Sequence, residues 1–224
     1  QPLTVRRTRF RDAFRAALEE RADQYLYRET YEDHLSTADQ IVDNYCLEYS
    51  NEGFIVMGLE ESLDYVFEDG TRTTGRVDLV VKDRQGVIKL MDHKFTGWSL
   101  ANFTKTTTTS NQTAQYLNLW NRKHPDTKAN YMMYNIIRHY KGDVTFKRPI
   151  VWKSQADLDD YLLDLKDVAD QLTAKLKDPD ARWPKNTESC FLYNRPCPFL
   201  ELCKGANYQT LLGTHFTVRG GMEE

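Results

Sequence analysis

No stretch of this 224-residue sequence approaches the roughly 18 consecutive apolar residues that a membrane-crossing helix needs. No secretory signal is visible either, and no membrane partner is expected. Cysteine is scarce: Cys46, Cys190, Cys197 and Cys203 are the whole set. Three of the four crowd into residues 190–203, which argues for metal or redox chemistry and against a secreted disulfide framework. An excess of positive charge is also missing. The net charge of −3 does not by itself advertise a nucleic-acid binder. The chain begins at Gln1 instead of Met and reads as a processed or trimmed piece.

What is present suffices for one well-packed domain: 40% of the residues are apolar and 12% aromatic. The charge is uneven. From Asn121 to Lys153 there are eight Lys and Arg against Asp126 and Asp143, a local charge of +6, which fits a phosphate-binding wall. From Ser154 to Asp180 eight Asp face three Lys, a local charge of −5.

The stretch Gly75 to Gly97 organises the rest. Val77, Leu79 and Val81 alternate with Asp78, Val80 and Lys82, the period of a pleated strand. Asp83 to Gly86 supplies a turn, and the apolar run Val87 to Met91 begins the return strand. Asp78 and Asp92 therefore fall on paired antiparallel strands, and Lys94 shares a face with Asp92. Two acids converging across a hairpin can hold a hard divalent cation, with the His93 carbonyl as a third oxygen. A lysine beside the ion can stabilise charge on a scissile phosphate or position water. The plainer alternative is a surface hairpin with a solvated Asp–Lys pair. The apolar run favours the site, since it delivers both charges from a buried strand to its end.

Gly75-Arg76-Val77-Asp78, then Met91-Asp92-His93-Lys94 with Thr96-Gly97, resembles the motif of the PD-(D/E)xK nuclease superfamily. The nearest branch is the RecB/Cas4-like exonucleases, whose form is GxxD, a hairpin, D-x-K-T-G and then Q-x-x-x-Y. Gln112-Thr113-Ala114-Gln115-Tyr116 matches the last element. The resemblance implies an α/β fold with a restriction-endonuclease-like core, a mixed central β-sheet flanked by helices. It implies a Mg²⁺- or Mn²⁺-dependent deoxyribonuclease in DNA processing, recombination or repair. Asp78 and Asp92 would bind the metal, with the His93 carbonyl and, as an extra acid ahead of GxxD, Glu60. Lys94 would act on the water and the phosphate, while Gln112 and Tyr116 would position the strand or the water. DNA is the implied substrate, and the relatives leave room for a helicase, a recombination partner or a homo-oligomer. The implied location is the cytoplasm of a bacterium, or of a host cell if the chain is phage-encoded.

The relatives also suggest a [4Fe–4S] cluster held by C-terminal cysteines. Cys190-x6-Cys197-x5-Cys203 departs from their spacing, and Cys46 sits in a helical pattern and not near the start. Thiolates would suit Fe–S or zinc, with small residues tucking a tail onto the core as the simpler alternative. An early helix of the relatives often carries a metal-ligating histidine. Here the first is His34, read as a solvated loop residue.

Around the motif, Thr8 to Tyr27 reads as a helix, and Ser36 reads as the N-cap of another that carries Ile41, Val42, Tyr45, Cys46 and Tyr49. Phe54 to Phe67 reads as a strand, and the threonine-rich run Leu100 to Ser110 as a loop bordering the cleft. Asn111 reads as the N-cap of the helix Gln112 to Asn121. Tyr131 to Tyr140 and Val144 to Val151 read as strands, and Ser154 opens a long amphipathic helix. One domain over 1–224 follows, with a helical part at 1–52, a catalytic sheet core at 53–153 and a helix with a cysteine tail at 154–224. The rival class is a non-catalytic module that grips DNA or a partner with the same fold. A third, a zinc- or cluster-bearing interaction domain, leaves the hairpin acids unexplained.

Overall fold

The computed structural model describes residues 3–20, 28–191, 195–205 and 208–216. The chain forms two compact units, Gln1–Ala169 and Asp170–Glu224. The first holds a six-stranded mixed sheet flanked by helices, an α/β architecture. Its helices are α1 (Leu3–Glu19), α2 (Arg28–Glu48), α3 (Leu100–Thr108), α4 (Asn111–Lys123) and the start of α5 (Gln155–Lys177). Its strands are β1 (Ile55–Val66), β2 (Arg72–Lys82), β3 (Ile88–Thr96), β4 (Tyr131–Tyr140), β5 (Asp143–Lys147) and β6 (Ile150–Trp152). The sheet order is β1-β2-β3-β4-β5, with β6 also on β4.

β1, β2 and β3 form an antiparallel meander. The β2–β3 turn is made by Asp83, whose Oδ1 accepts the N–H groups of Gln85 and Val87, and by Gly86 at φ 83°. β3 and β4 are parallel, so the chain must cross over between them. α3 and α4 make that crossover. α4 lies on one face of the sheet and buries Leu117, Leu119 and Trp120 against Val77, Val80, Leu90, Met132 and Ile136. The other face carries a smaller cluster of Val81, Met91 and Met133.

β3 shows why the alternation matters. Leu90 and Asp92 belong to the α4 face, and Met91 and His93 to the opposite one. The apolar half anchors the strand, and the polar half emerges at its end with two separate environments.

Several local expectations are corrected. The loop expected over 100–110 is the helix α3, capped by Ser99. Its threonines sustain it by returning their hydroxyls to the preceding turn: Thr104 to the Leu100 carbonyl, Thr107 to Thr104 and Thr108 to Lys105. Ser110, not Asn111, caps α4. Ser36 lies inside α2 and caps nothing, and His34 is helical, not in a loop. The strand expected over 144–151 divides into β5 and β6 at Arg148-Pro149. α1 runs from Leu3 to Glu19, and the remainder of the helix expected to Tyr27 lies mostly outside the described residues. In α5, Leu158 is buried, but Val168, Leu172 and Leu176 are exposed, so the stripe is not covered along its length.

The second unit holds the end of α5, a 3-10 turn at Thr187–Ser189, α6 (Leu200–Lys204) and α7 (Tyr208–His215). Among the described residues no helix is long and apolar enough to cross a membrane.

Candidate active site

β2 and β3 pair from Lys82↔Ile88 as far as Leu79↔Met91 and then part. Asp78 is the next residue on β2 and Asp92 the next on β3, so the two acids stand at the mouth of the fork. Asp78 Oδ2 accepts the His93 N–H at 2.8 Å, which fixes that carboxylate against β3. In an extended strand the N–H and C=O of one residue point to the same edge. The His93 carbonyl therefore faces the β2 side as well.

Asp92 is only 3% exposed. Its Oδ1 accepts from Gln112 Nε2 at 3.0 Å, and Lys94 Nζ lies 2.6 Å from its Oδ2. Both Asp92 oxygens are thus engaged, one by the amide of α4 and the other by the ammonium of its own strand. Burial raises the Asp92 pKa above the ordinary carboxylate value; Lys94 opposes the rise and the neighbouring Asp78 charge adds to it. The partly exposed Lys94 ammonium is thus aimed at the same opening as both acids.

α4 delivers the next pair. Gln112 Nε2 also donates to Tyr116 Oη at 3.1 Å, one helical turn away. The Tyr116 ring lies against Gly75. A Cβ there would come within 2.9 Å of Tyr116 Cε1 and 3.2 Å of Leu119 Cδ1. This explains the glycine three residues before Asp78, since any side chain would push the helix off the strand. Gln115 Nε2 adds a bond to the Thr74 carbonyl at 2.8 Å.

Glu60 is placed differently. It takes φ 49° on β1, is exposed, and pairs through Oε2 with Arg76 Nε at 2.9 Å. Among the described residues no group of three or more His, Cys, Asp or Glu converges as a metal-ligand set. The side-chain donors available at the fork are therefore Asp78 and Asp92. They are hard oxygens, close enough for the Asp78 charge to act on Asp92, so this donor set fits a hard divalent cation. Cys190, Cys197 and Cys203 are free thiols that form no common ligand group among the described residues, although the Cys197 N–H bonds the Cys190 carbonyl at 2.7 Å. Cys46 is half-buried on α2 beside an apolar cavity.

The basic segment does not form one wall. Lys123 is engaged with Glu61 at 2.8 Å, Arg148 with Glu52, and Arg122 stacks on Tyr65. Arg138 and Lys141 lie at the far end of β4 from Lys128, about 30 Å along the strand.

Sequence reasoning missed the support behind His93. Asn135 Nδ2 reaches His93 Nδ1 at 2.7 Å, and Asn135 Oδ1 accepts from Arg148 Nε at 2.7 Å. Arg148 also bonds Tyr45 Oη at 2.6 Å and stacks on Tyr49 at 3.4 Å. With its oxygen turned to Arg148, Asn135 presents its NH₂ to His93, so Nδ1 accepts and the ring proton sits on Nε2. No spacing could reveal this chain, because its members come from α2, β3, β4 and the segment before β6.

The model of the PD-(D/E)XK nuclease superfamily matches residues 3–204. No curated protein matches the chain significantly. Among solved structures, it resembles the "Putative exonuclease" of Eubacterium rectale at 12% identity and a TM-score of 0.48, over 92% of this chain and 80% of that one. It also resembles SSO0001 at 13% identity and a TM-score of 0.32, over 73% of this chain and 70% of the other. A protein of unknown function from Silicibacter pomeroyi, SPO1766, matches at 14% identity and a TM-score of 0.20, over 64% of this chain and 92% of that one. With the family match spanning nearly the whole sequence, this chain belongs to the PD-(D/E)XK nuclease superfamily.

Proposed function

We propose that the chain is a Mg²⁺- or Mn²⁺-dependent deoxyribonuclease of the RecB/Cas4-like type, with residues 1–224 serving as one nuclease domain. It would act as an exonuclease in DNA processing, recombination or repair. Its setting would be cytoplasmic, with a helicase, a recombination partner or a second copy as associate. The observation that carries this reading is the meeting of Asp78, Asp92 and Lys94 at the open fork, with Asp92 buried and Lys94 paired to its Oδ2.

Asp78 and Asp92, with the His93 carbonyl, would hold the cation. Bound there, it supplies Lewis-acid polarisation of the scissile phosphate and a more acidic water. Lys94 orients the attacking water and offsets charge on the phosphorane-like transition state. The water oxygen bonds phosphorus as its proton passes to solvent, the bond to the leaving oxygen breaks, and solvent protonates that oxygen. Gln112 holds Asp92 in the orientation it needs and keeps the Tyr116 hydroxyl at the rim. Glu60, paired with Arg76, is not part of this set.

The test is digestion of plasmid and end-labelled DNA with Mg²⁺ or Mn²⁺. Asp92→Ala and Lys94→Ala should each lose activity by about 10²-fold or more. Equal cleavage by all three proteins rejects this site, and binding without cleavage by the wild type favours the gripping module.

A further inference from the structure

The end of β3 presents a feature that phosphodiester hydrolysis does not require. Trp98 lies four residues past Lys94, at most about 14 Å along the chain. Its backbone is held at both ends: its N–H donates to Thr96 Oγ1 at 3.0 Å and its carbonyl accepts from Arg138 Nε at 3.0 Å. Its side chain is nevertheless 60% exposed. Among the described residues the indole has no ring partner and its N–H no hydrogen bond. Trp120 is the contrast, being buried, stacked on His124 and bonded to the Thr127 carbonyl.

Arg138, bonded to the Trp98 carbonyl, stands beside it, and the Tyr140 ring meets both Arg138 and Lys141. The Arg138 guanidinium lies 5.1 Å from the Tyr140 ring centroid and Lys141 Nζ 5.3 Å from the same ring. Neither meets a carboxylate among the described residues. Tyr140 thus holds the pair in place by cation–π attraction. The result is a bare indole on an anchored backbone just past the end of β3, with Arg138 against that backbone and Lys141 sharing the Tyr140 ring with Arg138.

We propose that Trp98, with Arg138 and Lys141, binds single-stranded nucleic acid at the entrance to the fork, a base stacking on the indole and phosphates meeting the two cations. This rests on the nuclease reading for its substrate class. The preference for a single strand follows from the indole. An exposed π-face takes an unstacked base of any identity, whereas a duplex keeps its bases stacked and offers phosphates only. A protein partner would need apolar surroundings in place of two unpaired cations.

The experiment is fluorescence anisotropy with a labelled 20-nucleotide single strand and its duplex, in EDTA to prevent cleavage. Trp98→Ala should weaken single-strand binding at least fivefold and leave duplex binding within twofold. Trp98→Phe should retain most of the affinity. Trp98→Leu, which keeps bulk without a π-face, should not. Lys141→Gln should reduce the salt dependence by about one phosphate contact. Trp152→Ala, at the opposite end of β4, should change nothing. Unchanged single-strand affinity in Trp98→Ala or Trp98→Leu overturns the proposal, as does equal loss for both substrates, or wild-type binding no tighter to the single strand than to the duplex. Cleavage is scored separately. A wild type that cuts while Trp98→Ala binds normally sinks the platform alone. A wild type that binds through Trp98 and never cuts sinks the nuclease reading alone.

Discussion

Gln112 holds Asp92: the side-chain amide on α4 donates to Asp92 Oδ1 at 3.0 Å across twenty residues of sequence. The helix is thereby tied to the carboxylate that the sheet has buried. This gives the Q-x-x-x-Y element a physical task, to orient an acid that has lost its water. Gln112→Ala should lower activity by about tenfold or more by freeing that oxygen. Gln112→Glu should be worse, since it sets a second negative charge beside Asp92. Single-turnover rates at saturating Mg²⁺ check this, and equal rates for wild type and Gln112→Ala would contradict it.

Gly75 supports the same group from below. The Cβ of Gly75→Ala would meet the Tyr116 ring at 2.9 Å. The ring or the helix must move, at a cost of about 1–3 kcal/mol. The expected outcome is a lower unfolding midpoint together with lost activity, read by urea denaturation and DNA digestion. Gly70→Ala, where nothing stands within 4 Å but φ is 85°, should lose stability without losing specific activity.

Arg148 joins α2 to the sheet through Asn135, Tyr45, Tyr49 and Glu52. Arg148→Ala leaves the Asn135 oxygen and the Glu52 charge without their partner, and about 2 kcal/mol of stability should go with it. Arg148→Lys should recover little, because the ammonium cannot reproduce the planar fork. A change under about 0.5 kcal/mol would show that the network is idle.

Burial raises the Asp92 pKa, so in the metal-free protein the native state holds this proton more tightly than the unfolded chain does. That contribution is complete below the ordinary carboxylate pKa and is lost as pH rises through the raised native value. Asp92→Asn never ionises. Its stability relative to wild type should therefore grow across that window and level off above it, in EDTA-containing buffer. A gap that is flat or shrinking with rising pH would contradict the assignment.

The β2–β3 hairpin was legible because its strands alternate cleanly and Gly86 marks the turn; Asp78, Asp92 and Lys94 follow from register alone. Gln112 and Tyr116 were legible as one helical face. What was hidden depends on contacts that local pattern does not encode. The threonines of α3 read as loop, yet their hydroxyls bond back to the helix that carries them. Lys123 and Arg148 read as a basic wall, but each has an acid from a distant segment. Gly75 read as a motif letter, and only the Tyr116 ring lying on it gives the reason. The Glu60 spacing looked suitable, but its left-handed backbone and Arg76 draw the carboxylate into a surface pair.

The most direct measurement is anomalous diffraction from crystals soaked in Mn²⁺. A manganese peak within about 2.5 Å of one oxygen from each of Asp78 and Asp92 is the expected result. A manganese ion bound elsewhere with the fork empty, or carboxylates too far apart to share it, would contradict the account.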